Sequence, residues 1–187
     1  GLWGQGKGME MSSFQSSFWL KGGVISAVDL IKGLGKAIGM DVLDVPGATG
    51  WLDSNFAGKA EAALKALKNK DFVFVHLEAT DEAGHKGDPA AKVKAVELID
   101  EQIVGPIAAG LAGQDWRLLV TPDHSTPLEM KTHKFEPVPW FIYDSCAPRS
   151  GGPGYDESTA AAAGRFLEFG WELMAAFVSK DALGSLD

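Results

Sequence analysis

Short apolar runs that end in polar, histidine-bearing tips limit what this chain can fold into. Phe72–Val75 leads through His76 and Glu78 to Asp81 and His85, which stand four residues apart. Leu118–Val120 leads in the same way to Thr121-Pro122-Asp123-His124-Ser125, with His133 a little further on. A strand that is apolar at every position is covered on both faces, which is how the strands of parallel sheets read. His85, His124 and His133 are three of the chain's four histidines, so the tips hold most of the imidazole.

Taken in order, the chain alternates strands with helices. Gly23–Val28 predicts a short buried strand running into a helix, with Leu30, Ile31, Leu34 and Ile38 on one face and Gly39 as its stop. Asp41–Val45 predicts the next strand, closed by Pro46-Gly47. Ser54 or Asn55 can cap a helix that turns Phe56, Ala60, Ala63, Leu64 and Leu67 inward and Lys59, Glu61, Lys65 and Lys68 outward. Phe72–Leu77 is expected as the central strand. Asp88 as cap and Pro89 at the first helical position start a helix that buries Val93, Val96, Ile99 and Ile103, and Gly105-Pro106 disturbs its end. Trp116–Val120 and Pro139–Tyr143 predict two further strands, Ser150–Gly154 a turn, and Ser158 onward an alanine-rich helix. Leu173, Met174 and Phe177 fit a closing helical turn or two. Gly1–Gly8, glycine-rich around Trp3, reads as an irregular loop or as a backbone nest for an anion.

This pattern implies an α/β fold, a three-layer sandwich with helices on both faces of a mostly parallel sheet. Such sheets bind ligands beyond the carboxyl ends of their strands. Asp81, His85, Asp123 and His124 fall at such ends.

Charge and cysteine usage narrow the function classes. The chain is 187 residues long, which fits one domain with a sizeable core. Its net charge of −8 argues against non-specific binding to nucleic acid or to an anionic membrane surface. No apolar run is long enough to span a bilayer, and no basic-then-apolar leader opens the chain. Cys146, the single cysteine, excludes an internal disulfide, suits a reducing cytoplasm, and reads as a packing residue. The opening GLWGQG reads as the interior of a domain, so a fragment of a longer protein is expected.

The two tips carry the chemistry. Asp81 and His85 share a face if their segment is helical, and a compact loop can also converge them. Asp123 and His124 diverge in an extended segment, and in a turn they can face different ions. Mixed oxygen and nitrogen ligands of this kind suit manganese, zinc or a similar divalent ion. A pair of such ions about 3.5–4 Å apart can clamp the attacking and leaving oxygens of a phosphoryl displacement. Alternatively, each aspartate caps a loop and each histidine is an ordinary surface or core residue. Two pairs plus His133 at successive strand ends favour the metal. His76 reads as a structural histidine on the face of Phe74, and Lys32 as a solvated helix lysine. Ser125 sits beside His124, but a histidine committed to metal cannot act as its base.

The strings TDEAGHKGD, TPDHSTP and KTH followed by PVPWFIY resemble the archaeal-type cofactor-independent phosphoglycerate mutases of the alkaline phosphatase superfamily. LWGQG, VISAVDLIKGLGKAIGM and VPGATGWLDSNFAGKA are also similar to that family, so the resemblance runs from Leu2 to about Val178. It implies an alkaline-phosphatase-like core and two divalent ions, manganese, zinc or magnesium. By motif, Asp81, His85 and His133 match the ligands of one ion, and Asp123 and His124 match ligands of the other. Lys32 matches a lysine that steadies the nucleophile and phosphate. The family moves phosphate between the 2- and 3-positions of glycerate through a phosphoserine intermediate. Its nucleophilic serine, a further aspartate ligand and an inserted domain with substrate arginines lie outside the matched stretch. The resemblance therefore implies a C-terminal portion, residues 1–187, whose partners are phosphoglycerate and the N-terminal half of the same protein, and which is inactive alone. Another metal-dependent phosphatase or phosphodiesterase of that superfamily is the enzymatic alternative, and a non-catalytic metal-binding remnant the other. The Asp123–His124 position is expected to bind its ion more weakly than Asp81–His85–His133.

Overall fold

Val24 and Ile25 are consecutive residues of one strand, and each is buried in a different core. The structure, a computed structural model, describes residues 10–149, 152 and 154–179. In chain order the elements are α1 (Phe14–Phe18), β1 (Gly22–Ile25), α2 (Asp29–Ala37), β2 (Asp41–Val42), α3 (Phe56–Ala66), β3 (Phe72–Val75) and α4 (Ala79–Lys86). There follow α5 (Pro89–Ile99), a π-helical turn (Asp100–Val104), α6 (Gly105–Gly110), β4 (Arg117–Val120), β5 (Phe141–Asp144), α7 (Glu157–Ala162) and α8 (Trp171–Val178).

The parallel sheet has the order β2-β1-β3, with Val24 in register with Val42 and Phe74. Ile25 faces Phe56, Ala60 and Ala63 of α3, Ala95 of α5, Ile103 and Ile107. Val24 faces the other way, toward Phe14, Met40, Ile31, Ile38 and Met174 of α8. Helices thus cover both faces, and the expected mixed α/β architecture with a parallel sheet is what the chain builds.

Several details differ from the sequence reading. The middle strand is β1, with β3 beside it, so Phe72–Leu77 is not central among the described strands. β4 and β5 pair antiparallel in a second sheet, Leu118 opposite Tyr143. On α2, Ile31 and Ile38 pack inward while Leu30 and Leu34 stay exposed. The reason is Gly35, which is buried and where a Cβ would lie 2.5 Å from Val24 Cγ1, so the helix approaches β1 along the 31-35-38 line.

Lys59, expected outward, is 1% exposed. It lies on the stripe Phe56–Lys59–Ala60–Ala63, and its ammonium reaches the carbonyl of His76 at 3.2 Å. On α5 it is Ala91 and Ala95 that face inward, so Val93 and Val96, expected buried, stay 60% and 55% exposed. Ile103 is buried as expected. Asp88 caps Ala91 N at 2.9 Å ahead of Pro89, as the sequence indicates. Gly105-Pro106 disturbs the helix as expected, but the chain stays helical through it. Pro106 has no N–H to donate, and the ladder shifts instead, with Gly105 N–H bonding back to Asp100 O in a π turn. Cys146, expected to pack, is exposed in the turn after β5, where its N–H is held by Asp144 Oδ1 at 2.9 Å. The alanine-rich helix stops at Ala162, so Phe166, Leu167 and Phe169 are not helical. The Gly1–Gly8 loop and most of the Ser150–Gly154 turn lie outside the described residues.

Candidate metal centre

β3 ends at Val75 and hands the chain to α4, which starts beyond the carboxyl edge of the sheet. Because the segment is helical, Asp81 and His85 stack one turn apart, with Asp81 Oδ2 3.3 Å from His85 Nε2. The third side chain arrives from the loop after β4. An isolated antiparallel bridge between Ser125 and Lys134, with Lys134 N–H on Ser125 O at 3.0 Å, folds that loop back on itself. It carries His133 to His85, Nε2 to Nε2 at 3.1 Å, and to Asp81 Oδ1 at 3.5 Å. Asp81, His85 and His133 each offer one ligand atom within 4.8 Å of the others.

The donor chemistry fits a divalent cation. His85 Nδ1 lies 3.0 Å from the carbonyl oxygen of Lys131. A carbonyl only accepts, so the ring proton sits on Nδ1 and Nε2 keeps its lone pair toward Asp81 and His133. Metal-binding histidines are commonly oriented by such a bond from their second nitrogen. Lys131 supplies its carbonyl from φ 53°, a left-handed conformation that costs a non-glycine residue and that the turn on Pro127 O imposes.

Asp123 and His124 sit beside this trio. The His124 ring stacks on His133 with centroids 3.6 Å apart. Its Nδ1 is 4.0 Å from Asp81 Oδ1 and its Nε2 is 3.2 Å from Asp123 Oδ2. The segment bends, so Asp123 and His124 do not diverge, and Asp123 Oδ1 also accepts from His124 N–H at 3.0 Å. The five side chains form one continuous patch with Asp81 and His124 at its middle.

Sequence reasoning missed the residues that hold the patch together. Thr126, buried, donates its hydroxyl to Asp81 Oδ1 in a short bond and lies 3.3 Å from His124 Nδ1. Its carbonyl accepts from Lys92 Nζ of α5 at 2.6 Å. The close approach depends on Gly84 of α4, where a Cβ would lie 2.5 Å from Thr126 O. The signal was in the sequence: a glycine inside a helical stretch next to the ligands asks what lies against it.

The remaining candidates are placed as follows. Lys32 on α2 pairs with Asp44 at 3.2 Å, just beyond β2, and makes no hydrogen bond or ion pair with the five-residue patch. Burial pushes the Lys59 ammonium below the ordinary lysine range, against the opposing pull of Glu78. Burial likewise pushes the Glu78 carboxyl up, and the like charges of Glu82 and Asp81 add to it. Ser125 donates to Glu136 Oε1 at 2.6 Å.

A family model described as the metalloenzyme superfamily matches residues 2–172. The chain belongs to the metalloenzyme superfamily. Membership implies dependence on divalent metal, in keeping with the Asp81–His85–His133 cluster. Among curated relatives of this metalloenzyme, a probable 2,3-bisphosphoglycerate-independent phosphoglycerate mutase of Geobacter sulfurreducens is 49% identical over 175 residues, 92% of this chain and 44% of the relative. The 2,3-bisphosphoglycerate-independent phosphoglycerate mutase of Methanothrix thermoacetophila is 50% identical over 165 residues, 87% and 42% of the two chains. The chain therefore spans less than half the length of these relatives. Among solved structures, the PH0037 protein from Pyrococcus horikoshii superposes with a TM-score of 0.74 at 34% identity, over 81% of this chain and 46% of that one. The cofactor-independent phosphoglycerate mutase from Thermoplasma acidophilum superposes with a TM-score of 0.57 at 25% identity, over 81% and 34%.

Proposed function

We propose that this chain is the metal-binding portion of a cofactor-independent phosphoglycerate mutase. The observation that carries the reading is the convergence of Asp81 and His85 from α4 with His133 from the loop after β4. The names of the curated relatives support the substrate, a phosphoglycerate. In this reading Asp81, His85 and His133 hold one divalent ion, and Asp123 and His124 contribute to a second. Manganese, zinc and magnesium are the candidate ions. A divalent ion bound there supplies Lewis acidity toward a phosphoryl oxygen and a charge against which a hydroxyl is more acidic.

The chain's own residues prepare that site. The Lys131 carbonyl fixes the His85 tautomer, Thr126 fixes the Asp81 carboxylate, and His124 is held between Asp81 and Asp123. The nucleophilic serine and the arginines that grip the substrate come from the N-terminal half of the same protein, and the assembled enzyme works in the cytoplasm. Lys32, on the helix after β1, steadies the phosphate in that assembly.

The test is an assay of 3-phosphoglycerate conversion with manganese. The chain is measured alone and mixed with the segment of the Geobacter relative outside the matched 175 residues. Activity in the mixture but not in either part supports the reading. Turnover by the chain alone would place the nucleophile within these residues and overturn it. Release of inorganic phosphate without isomerisation would point to a phosphatase instead.

A further inference from the structure

His76 is fixed at more atoms than a half-buried strand-end histidine needs. Its N–H donates to Ile25 O at 2.8 Å, which continues the β1–β3 ladder one residue past the strand. Its carbonyl accepts from the buried Lys59 ammonium at 3.2 Å. Its ring Nδ1 meets Ser26 Oγ at 3.1 Å. Ser26 is itself buried at the carboxyl end of β1, and its Oγ accepts from Val28 N–H at 2.9 Å.

These bonds settle the tautomer. Among the described residues the Ser26 hydroxyl hydrogen has one acceptor within reach, His76 Nδ1. A hydroxyl that donates to Nδ1 leaves the ring proton on Nε2. Burial holds the imidazole pKa below its ordinary value, with Lys59 acting in the same direction and Asp123 and Asp81 in the other. The ring is therefore neutral at physiological pH, and its Nε2–H is a donor.

No protein group takes up that donor among the described residues. Asp123 and Asp81 are close enough to act on the ring electrostatically, yet neither comes within the 4.0 Å of an ion pair, a distance at which His124 still meets Asp81. The neighbouring carboxylates repel an anion unless a cation neutralises them.

We propose that His76 is a further binding residue of this site, its Nε2–H donating to an oxygen of the phosphoryl group held at the metal centre. The proposal rests on the metal reading given above. Ser26 and Lys59 are positioning residues in it, acting through His76. A neutral N–H donor suits a group whose charge the cation already balances, and it keeps its proton across the physiological range.

The probes are manganese and inorganic phosphate, titrated into the chain by calorimetry. The reading requires manganese to bind first and phosphate to bind only to the manganese-loaded chain. His76→Phe should weaken phosphate by about tenfold or more, as expected for a lost hydrogen bond to a charged group, and leave manganese binding unchanged. His76→Gln, whose amide can place an N–H near the same point, should recover most of the loss. Ser26→Ala, which frees the tautomer, should give an intermediate loss. Long-range proton–nitrogen NMR on the unliganded chain should show the His76 proton on Nε2 in the wild type.

A proton on Nδ1 overturns the proposal. So does equal phosphate affinity in the wild type and His76→Phe, or a loaded wild type that takes no phosphate. Manganese affinity falling in step with phosphate affinity would show that His76 acts through the metal ligands instead. Failure of manganese to bind the wild type would be a failure of the metal reading, seen before any phosphate is added.

Discussion

Lys59 shows how far a single side chain can depart from its residue type. A helix lysine is ordinarily a solvated cation, and the charge pattern around positions 61, 65 and 68 points that way. The spacing Phe56, Lys59, Ala60, Ala63 places it on the inner stripe, where its stem packs and its ammonium finds the His76 carbonyl. Spacing outranked residue type, and the sequence held the signal. Burial of the ammonium has a consequence for pH. The folded state holds its proton less tightly than the unfolded chain, whose lysine titrates at about 10.4. Between the lowered folded pKa and that value the unfolded state binds more protons, so stability rises with pH. Lys59→Met removes this term. In urea unfolding at pH 8 and pH 10, the stability difference between wild type and Lys59→Met should shift toward the wild type as pH rises. A pH-independent difference would mean that the lysine stays charged or reaches solvent.

At the scale of elements, the site depends on how closely α4 and the loop after β4 approach. Asp81 and His85 were legible as an i, i+4 pair that could converge, though not as part of a helix, and the caps Asn55 and Asp88 were legible from residue type. The return of His133 was legible only as a motif, because the bridge between Ser125 and Lys134 is a tertiary event with no local pattern. Helix faces were read correctly where large residues mark them, as at Phe56, and wrongly where small ones do. Gly35 on α2 and Ala91 and Ala95 on α5 set the close approaches, which leaves Leu30, Leu34, Val93 and Val96 outside. Apolar periodicity alone does not report a packing surface made of glycine and alanine.

Gly84 separates the helix from the site it builds. Gly84→Ala should strengthen α4 as an isolated helix by up to about 1 kcal/mol. The added Cβ meets Thr126 O, which Lys92 also holds, so the loop must shift and carry Thr126 away from Asp81. The expected outcome is a nearly unchanged melting temperature without metal and a manganese affinity lowered by roughly tenfold, since ligands held by outer-shell contacts lose about 10–100-fold when those contacts go. An unchanged affinity would mean that Thr126 does not set the ligand geometry.

Among the described residues the molecule has a three-stranded parallel sheet covered on both faces and a separate antiparallel pair, with the candidate metal patch beyond the carboxyl ends of β3 and β4. The covered sheet and the place of the patch were legible because strands buried on both sides read as apolar runs and their tips as polar ones. The strand order and the separate antiparallel pair β4–β5 were not legible, since a short apolar run carries no sign of its neighbour or direction. On the proposed metal reading, a divalent ion at the patch would stabilise the folded chain by about 2.7 kcal/mol when free metal stands at a hundred times its dissociation constant.

The most direct test of the account is a calorimetric titration of manganese into the chain and into His85→Ala. The account predicts a tighter binding step at Asp81–His85–His133 and a weaker one at Asp123–His124 in the wild type. His85→Ala should lose the tighter step and keep the weaker. Two equal steps in the wild type would contradict the ranking of the sites. Unchanged tight binding in His85→Ala would contradict the metal centre itself.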